Sequence, residues 1–216
     1  MHADPTETGP RANREPAVVE SKRARTHEPH LASLTKLVEE MRTETGGEVP
    51  WFDPDSGGVD ARALFLMEAS GARSTARRPG GKTIGSGFIS LDNDDGTAEA
   101  LWRLIREADL PRRALVMWNI VPWYIGSASR IRAPGRDDLE QARPYLRRLL
   151  ERLPHLRVVL TLGRKAQRGW SAFTDSNAVP VVRTGECPHP SPQNLRTRPE
   201  ARKRILEALL EVRGAL

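Results

Sequence analysis

The chain has 216 residues, 38% hydrophobic and 29% charged, which suits one ordinary domain with one core. No apolar run approaches the ~18 residues of a membrane span, and the opening MHADPTETGP lacks the apolar stretch of a secretory leader. A single cysteine, Cys187, excludes an internal disulfide framework, a four-cysteine zinc site and a cysteine-held iron–sulfur cluster, and it points to a reducing, cytoplasmic setting. Lys and Arg number 34 against 28 Asp and Glu, a net +6 with a pI near 10.1. Residues 1–30 hold five of each sign, so the excess lies in residues 31–216. A basic folded domain suits a polyanionic partner.

Residues 1–30 combine four prolines with many charges and almost no apolar periodicity, and they read as a disordered tail before a domain over 31–216. Leu31, Leu34, Leu37, Val38 and Met41 then form one helical stripe, ended by Gly46-Gly47. ALFLM (63–67) reads as a strand buried on both faces. A Gly/Arg-rich loop follows, after which Thr97 is placed to cap a helix over 98–109. ALVMWNIV (114–121) is a second buried strand, and Asp137 or Asp138 opens a helix reaching about residue 152. RVVLTL (157–162) is a third strand, Gly163 begins another helix, and VPVVR (179–183) is a fourth, shorter strand. A C-terminal helix carries Ile205, Leu206, Leu209, Leu210 and Val212 on its apolar face. Four alternations of strand and helix predict an α/β fold: a three-layer α/β/α sandwich on a mostly parallel four-stranded sheet.

Ligands of such sheets bind beyond the carboxyl ends of the strands. The first strand exits through Met67-Glu68-Ala69-Ser70-Gly71 and the second carries Asn119. The third exits through Gly163-Arg164, and the fourth leads to Cys187-Pro188-His189-Pro190-Ser191-Pro192. A carboxylate, a carboxamide and an imidazole converging on one rim form a catalytic inventory. The run ARRPGGKT (76–83) approximates a phosphate-binding loop, but the strand before it ends too early and no helix follows, so it reads as a basic loop with Lys82 as a phosphate contact. Arg164 and Lys165 open a helix, another position suited to phosphate.

These motifs, in this order, resemble the uracil-DNA glycosylase superfamily. HPSP (189–192) with Gln193 and Asn194 is similar to its second motif, and LFLMEASG (64–71) to its first, of the form G-E-A-P-G. GFISLDNDDGTAEAL (87–101), WNIVPW (118–123) and LTLGRKA (160–166) resemble its aromatic loop, its base-reading strand and its strand-to-helix turn. Met67 and Ser70 depart from G-E-A-P-G, and the cluster cysteines of one branch are missing.

The resemblance implies a monofunctional glycosylase that removes a flipped deaminated base from DNA, with uracil as the default and hypoxanthine or xanthine as alternatives. Glu68 would position the attacking water, Phe88 stack under the base, Asn119 pair with the uracil edge and His189 hydrogen-bond the base O2. Ser191 would contact phosphate, while Gln193 and Asn194 fall where the family inserts a loop into the duplex. Trp118, Trp123 and Tyr124 are alternative stacking residues, and Phe88 is alternatively core. No metal or cofactor is expected, and the protein is expected to act as a monomer on DNA, away from membranes. The competing readings are a non-catalytic nucleic-acid binding module and a hydrolase of a small nucleotide.

Overall fold

Four parallel strands form the central sheet of the computed structural model, which describes residues 9–71, 73–75, 85–126, 132–177, 179 and 182–216. In chain order its elements are α1 (Pro16–Ala24), α2 (Ala32–Thr45), β1 (Trp51–Phe52), β2 (Ala63–Ala69), β3 (Phe88–Ile89) and α3 (Gly96–Glu107). They continue with β4 (Leu115–Val121), α4 (Arg136–Leu150), β5 (Val158–Leu162), α5 (Arg164–Thr174), β6 (Arg183–Cys187), α6 (Pro192–Thr197) and α7 (Pro199–Ala215). The strand order is β4-β2-β5-β6, and every neighbouring pair is parallel. The apolar runs of β2, β4 and β5 follow from this, because a parallel sheet is covered on both faces. Helix α4 packs on β4, and α5 on β2, β4 and β5; α7 packs on β5 and β6 and against α3. The expected α/β/α arrangement is therefore the observed one. Among the described residues no helix is long and apolar enough to cross a membrane.

The chain passes from β2 to β4 on one side and from β4 to β5 on the other. The crevice beyond the carboxyl ends of β2, β4 and β5 is thus a switch point of the kind that receives ligands in open α/β sheets. A two-stranded parallel ribbon, with Trp51 opposite Phe88 and Phe52 opposite Ile89, lies beside it. Phe52 stacks on Trp118 with ring centroids 4.4 Å apart.

Three expectations need correction. The fourth strand is Arg183–Cys187, not 179–183, because Arg183 pairs with Val158 and Cys187 with Leu162. It is an edge strand with four of its five residues at least partly exposed, so no apolar run marks it. The cap of α3 is Asp95, whose carboxylate accepts from the amides of Thr97 and Ala98, each at 2.9 Å. The third correction concerns the N-terminal segment, which is no disordered tail from residue 9 onward.

That segment is held by charge. Lys22, on α1, is 2% exposed, and its Nζ lies 3.0 Å from Asp53, 2.6 Å from Asp92 and 3.3 Å from Asp55. Arg112 reaches Asp53 at 2.6 Å and Asp92 at 2.7 Å, while Arg25 reaches Asp55 at 2.7 Å. Burial opposes the charge of Lys22, but Asp53 and Asp92 raise its pKa beyond that penalty. Farther upstream, Asn13 donates its backbone N–H to the Asp92 carbonyl and its Nδ2 to Asn93 Oδ1, both at 2.9 Å. Arg11 binds Glu99 at 2.7 Å. Residues 11–22 therefore strap the 90–95 loop, through side-chain partners 68 to 83 residues away in sequence.

Candidate active site

At the switch point lies a cavity of about 260 Å³ whose walls include Glu68, Asn119 and His189. The three groups expected to act together thus line one space. Each arrives from a different element: Glu68 from the end of β2, Asn119 from β4, and His189 from the loop after β6. The register that sets Met67 opposite Asn119 brings the ends of β2 and β4 to the same level.

The environment tunes each group differently. Partial burial raises the pKa of Glu68, and the ammonium of Lys165 pulls against that rise. A half-buried carboxylate of this kind is a stronger base than one in water. Burial lowers the pKa of His189, with Asp95 opposing, so the imidazole is favoured in its neutral form. A neutral imidazole still offers one N–H donor. Asn119 is 3% exposed, and its Nδ2 donates to Ser70 Oγ at 3.1 Å. Cys187 is buried and its thiol is pushed up to about 12, which removes it as a nucleophile.

The His189 loop owes its place to Gly163. That residue has φ +95° and ψ 155°, a region open essentially only to glycine. A Cβ there would stand 2.9 Å from the Cβ of His189. The loop is further fixed by Asn194, whose Nδ2 donates to the His189 carbonyl at 3.0 Å. Ser191 caps α6, its Oγ accepting the Asn194 amide at 3.3 Å.

On the other side of His189 is an open notch of about 360 Å³ walled by Gly163, Arg164, Gln167, Asn194, Arg198 and Arg204, among others. Its three guanidiniums and the positive end of α5 make a surface that attracts phosphate.

The remaining expected residues fall as follows. Phe88 does not line the cavity; it is fully buried, and its backbone carbonyl accepts from Asn93 Nδ2 at 2.9 Å. Ile89 and Asn93 stand in the wall instead. The alternative aromatics do not line it either: Trp118 is committed to Phe52, and Trp123 to Tyr145 edge-on at 6.0 Å. Arg164 and Asn194 are in the notch, Lys165 acts on Glu68, and Gln193 is exposed on α6. Lys82 lies outside the described residues.

Ser70, Asn93 and Asp95 bear on the site without having been singled out for it. Asn93 and Asp95 sit in the polar run DNDDG, whose composition signals only a turn and a helix start.

A model of the Uracil DNA glycosylase superfamily matches residues 54–210. No curated protein matches the chain. Among solved structures the chain is similar to the solution NMR structure of a protein from Methanosarcina acetivorans described as a "putative Uracil DNA glycosylase". The identity is 16%, covering 71% of this chain and 92% of that one, with a TM-score of 0.40. The family match spans well over half the sequence and includes both strand ends and the histidine loop, and on it the chain belongs to the uracil-DNA glycosylase superfamily.

Proposed function

We propose that this protein hydrolyses the N-glycosidic bond of a deaminated base in DNA, uracil above all, and leaves an abasic site for base excision repair. The observation that carries this reading is the meeting of Glu68, Asn119 and His189 in one cavity at the carboxyl ends of the sheet. The target bond is out of reach inside a duplex, so the nucleotide must swing out into the cavity, at a cost of a few kcal/mol. The notch beside His189 supports this, because Arg164, Arg198 and Arg204 can hold the backbone phosphates next to the flipped sugar.

Breaking the bond sends its electron pair to the base N1 and leaves positive charge on the sugar. The Glu68 carboxylate stabilises that charge and orients water toward C1′, accepting the water's proton as the new C–O bond forms. Neutral His189 donates a hydrogen bond to O2 of the departing base anion. Asn119 reads the base edge. Met67, Ile89, Leu101 and Met117 supply the apolar walls against which the base lies, Phe88 having no place there.

The test is a panel of labelled oligonucleotides carrying one uracil, hypoxanthine or xanthine, treated with the protein and then with hot alkali. Strand breaks at uracil are expected. Tight, salt-sensitive binding without breaks at any lesion would instead support a non-catalytic binding module. Neither breaks nor binding would redirect attention to a small nucleotide substrate.

A further inference from the structure

The hydrogen bonds behind Asn119 have a direction. Ser70 follows β2 and is fully buried; its Oγ lies 2.6 Å from the carbonyl oxygen of Pro122, just past β4. A carbonyl can only accept, so the single hydroxyl proton of Ser70 is spent on Pro122. Oγ then presents only lone pairs to Asn119, and the atom 3.1 Å from it must be the donor Nδ2. The opposite orientation would set Oδ1 against Oγ with no proton between them, an unmade hydrogen bond in a buried place.

One Nδ2 proton and Oδ1 are left for the cavity that Asn119 lines. That pair complements an edge with one acceptor and one N–H donor, as O4 and N3–H of uracil present. Cytosine presents the reverse, an amino donor and the acceptor N3. A flipped carboxamide would fit cytosine and reject uracil. Ser70 does not itself line the cavity, and it occupies the position of the proline in the G-E-A-P-G motif that residues 67–71 resemble. A proline there has no hydroxyl for either bond.

We infer that Ser70 is a positioning residue: through the Pro122–Ser70–Asn119 relay it fixes which way round the Asn119 carboxamide faces, and so sets the preference for a uracil-type over a cytosine-type edge. The inference rests on the proposed reading of Asn119 as the base-reading group.

The test compares binding of the full-length protein to single-stranded oligonucleotides with one 2′-fluoro-deoxyuridine or one 2′-fluoro-deoxycytidine, in which the fluorine slows bond cleavage. The wild type is expected to prefer the uracil site. In Ser70→Ala the ratio of the two dissociation constants should fall by about tenfold, the discrimination carried by one well-made base edge. A general loss of packing would weaken both oligonucleotides alike and leave the ratio unchanged, and an unchanged ratio in a folded Ser70→Ala protein overturns the inference.

Should Ser70→Ala fail to fold, side-chain amide NMR of the wild type decides. One Asn119 Nδ2 proton strongly protected from exchange supports the relay; both protons exchanging as fast as those of a solvent-exposed carboxamide overturn it. A wild type that neither prefers nor excises uracil overturns the reading of Asn119 itself, an outcome distinct from failure of the Ser70 variant alone.

Discussion

Replacing Lys22 by methionine removes one charge from a buried cluster while keeping most of the side-chain volume. Lys22, Arg112 and Arg25 face Asp53, Asp55 and Asp92, three charges of each sign. Without Lys22 these named groups keep three negative charges against two positive, with the ammonium nearest Asp92 gone. Breaking a buried pair in this way costs about 3–5 kcal/mol. For a chain of this size each kcal/mol moves Tm by about 2–4 °C, so the variant should melt ~6–20 °C lower.

The loss should also depend on pH. Lys22 and Arg112 overcome the burial of Asp53 and hold its carboxyl far below the usual carboxylate range. A depressed carboxyl contributes stability that is present at neutral pH and fades as pH falls through its unfolded value toward its folded one. In the variant a proton can replace the missing ammonium, so the gap between the two proteins should narrow in acid. Urea unfolding near pH 7 and near pH 4 measures both effects, with the midpoint shifting at constant slope. A loss under about 1 kcal/mol near pH 7, or a loss identical at both pH values, would refute the view that the cluster is dry and holds residues 11–25 in place.

Other perturbations address the site. Lys165→Met removes the charge that restrains the raised pKa of Glu68, so the acid limb of the excision rate, where activity is lost as Glu68 protonates, should move to higher pH. An unmoved limb would separate Lys165 from Glu68. Gly163→Ala forces a side chain into glycine-only backbone space and against His189, and it should lower both stability, by about 1–3 kcal/mol, and excision. Wild-type behaviour in both assays would mean that the histidine loop is not seated by this contact. Arg198→Ala and Arg204→Ala should each reduce the slope of log Kd against log salt by about one for DNA, with lesion preference intact. A slope unaltered in both would take the notch off the DNA path.

Most of the sheet could be read from residue patterns because β2, β4 and β5 are buried on both faces and written in apolar runs. β6 could not, since an edge strand of sequence RTGEC carries no such run and is defined by its pairing with β5. The convergence of Glu68, Asn119 and His189 on one cavity was legible because strand ends are where this architecture places ligands. Phe88 shows the limit of the same reasoning: it belongs to the two-residue ribbon β3, whose pairing with β1 turns it into the interior. Lys22 is the harder case. Its neighbours are charged and its partners distant in sequence, so a buried lysine there looks the same as a solvated one until the fold brings Asp53, Asp55 and Asp92 around it. Ser70 was visible only as a departure from a motif; its use depends on Pro122 and Asn119 lying within reach across the strand ends.

The central claim is that Glu68 and His189 carry out glycosidic hydrolysis in the cavity they share with Asn119. Single-turnover excision from a uracil-containing oligonucleotide, with wild type, Glu68→Gln and His189→Ala compared at matched DNA occupancy, tests it most directly. The account predicts excision by the wild type and a fall of about 10²–10³ in His189→Ala, as for a lost donor to a developing anion. It predicts a comparable or larger fall in Glu68→Gln, with DNA affinity largely kept in both. Excision that proceeds at the wild-type rate in either variant would contradict it.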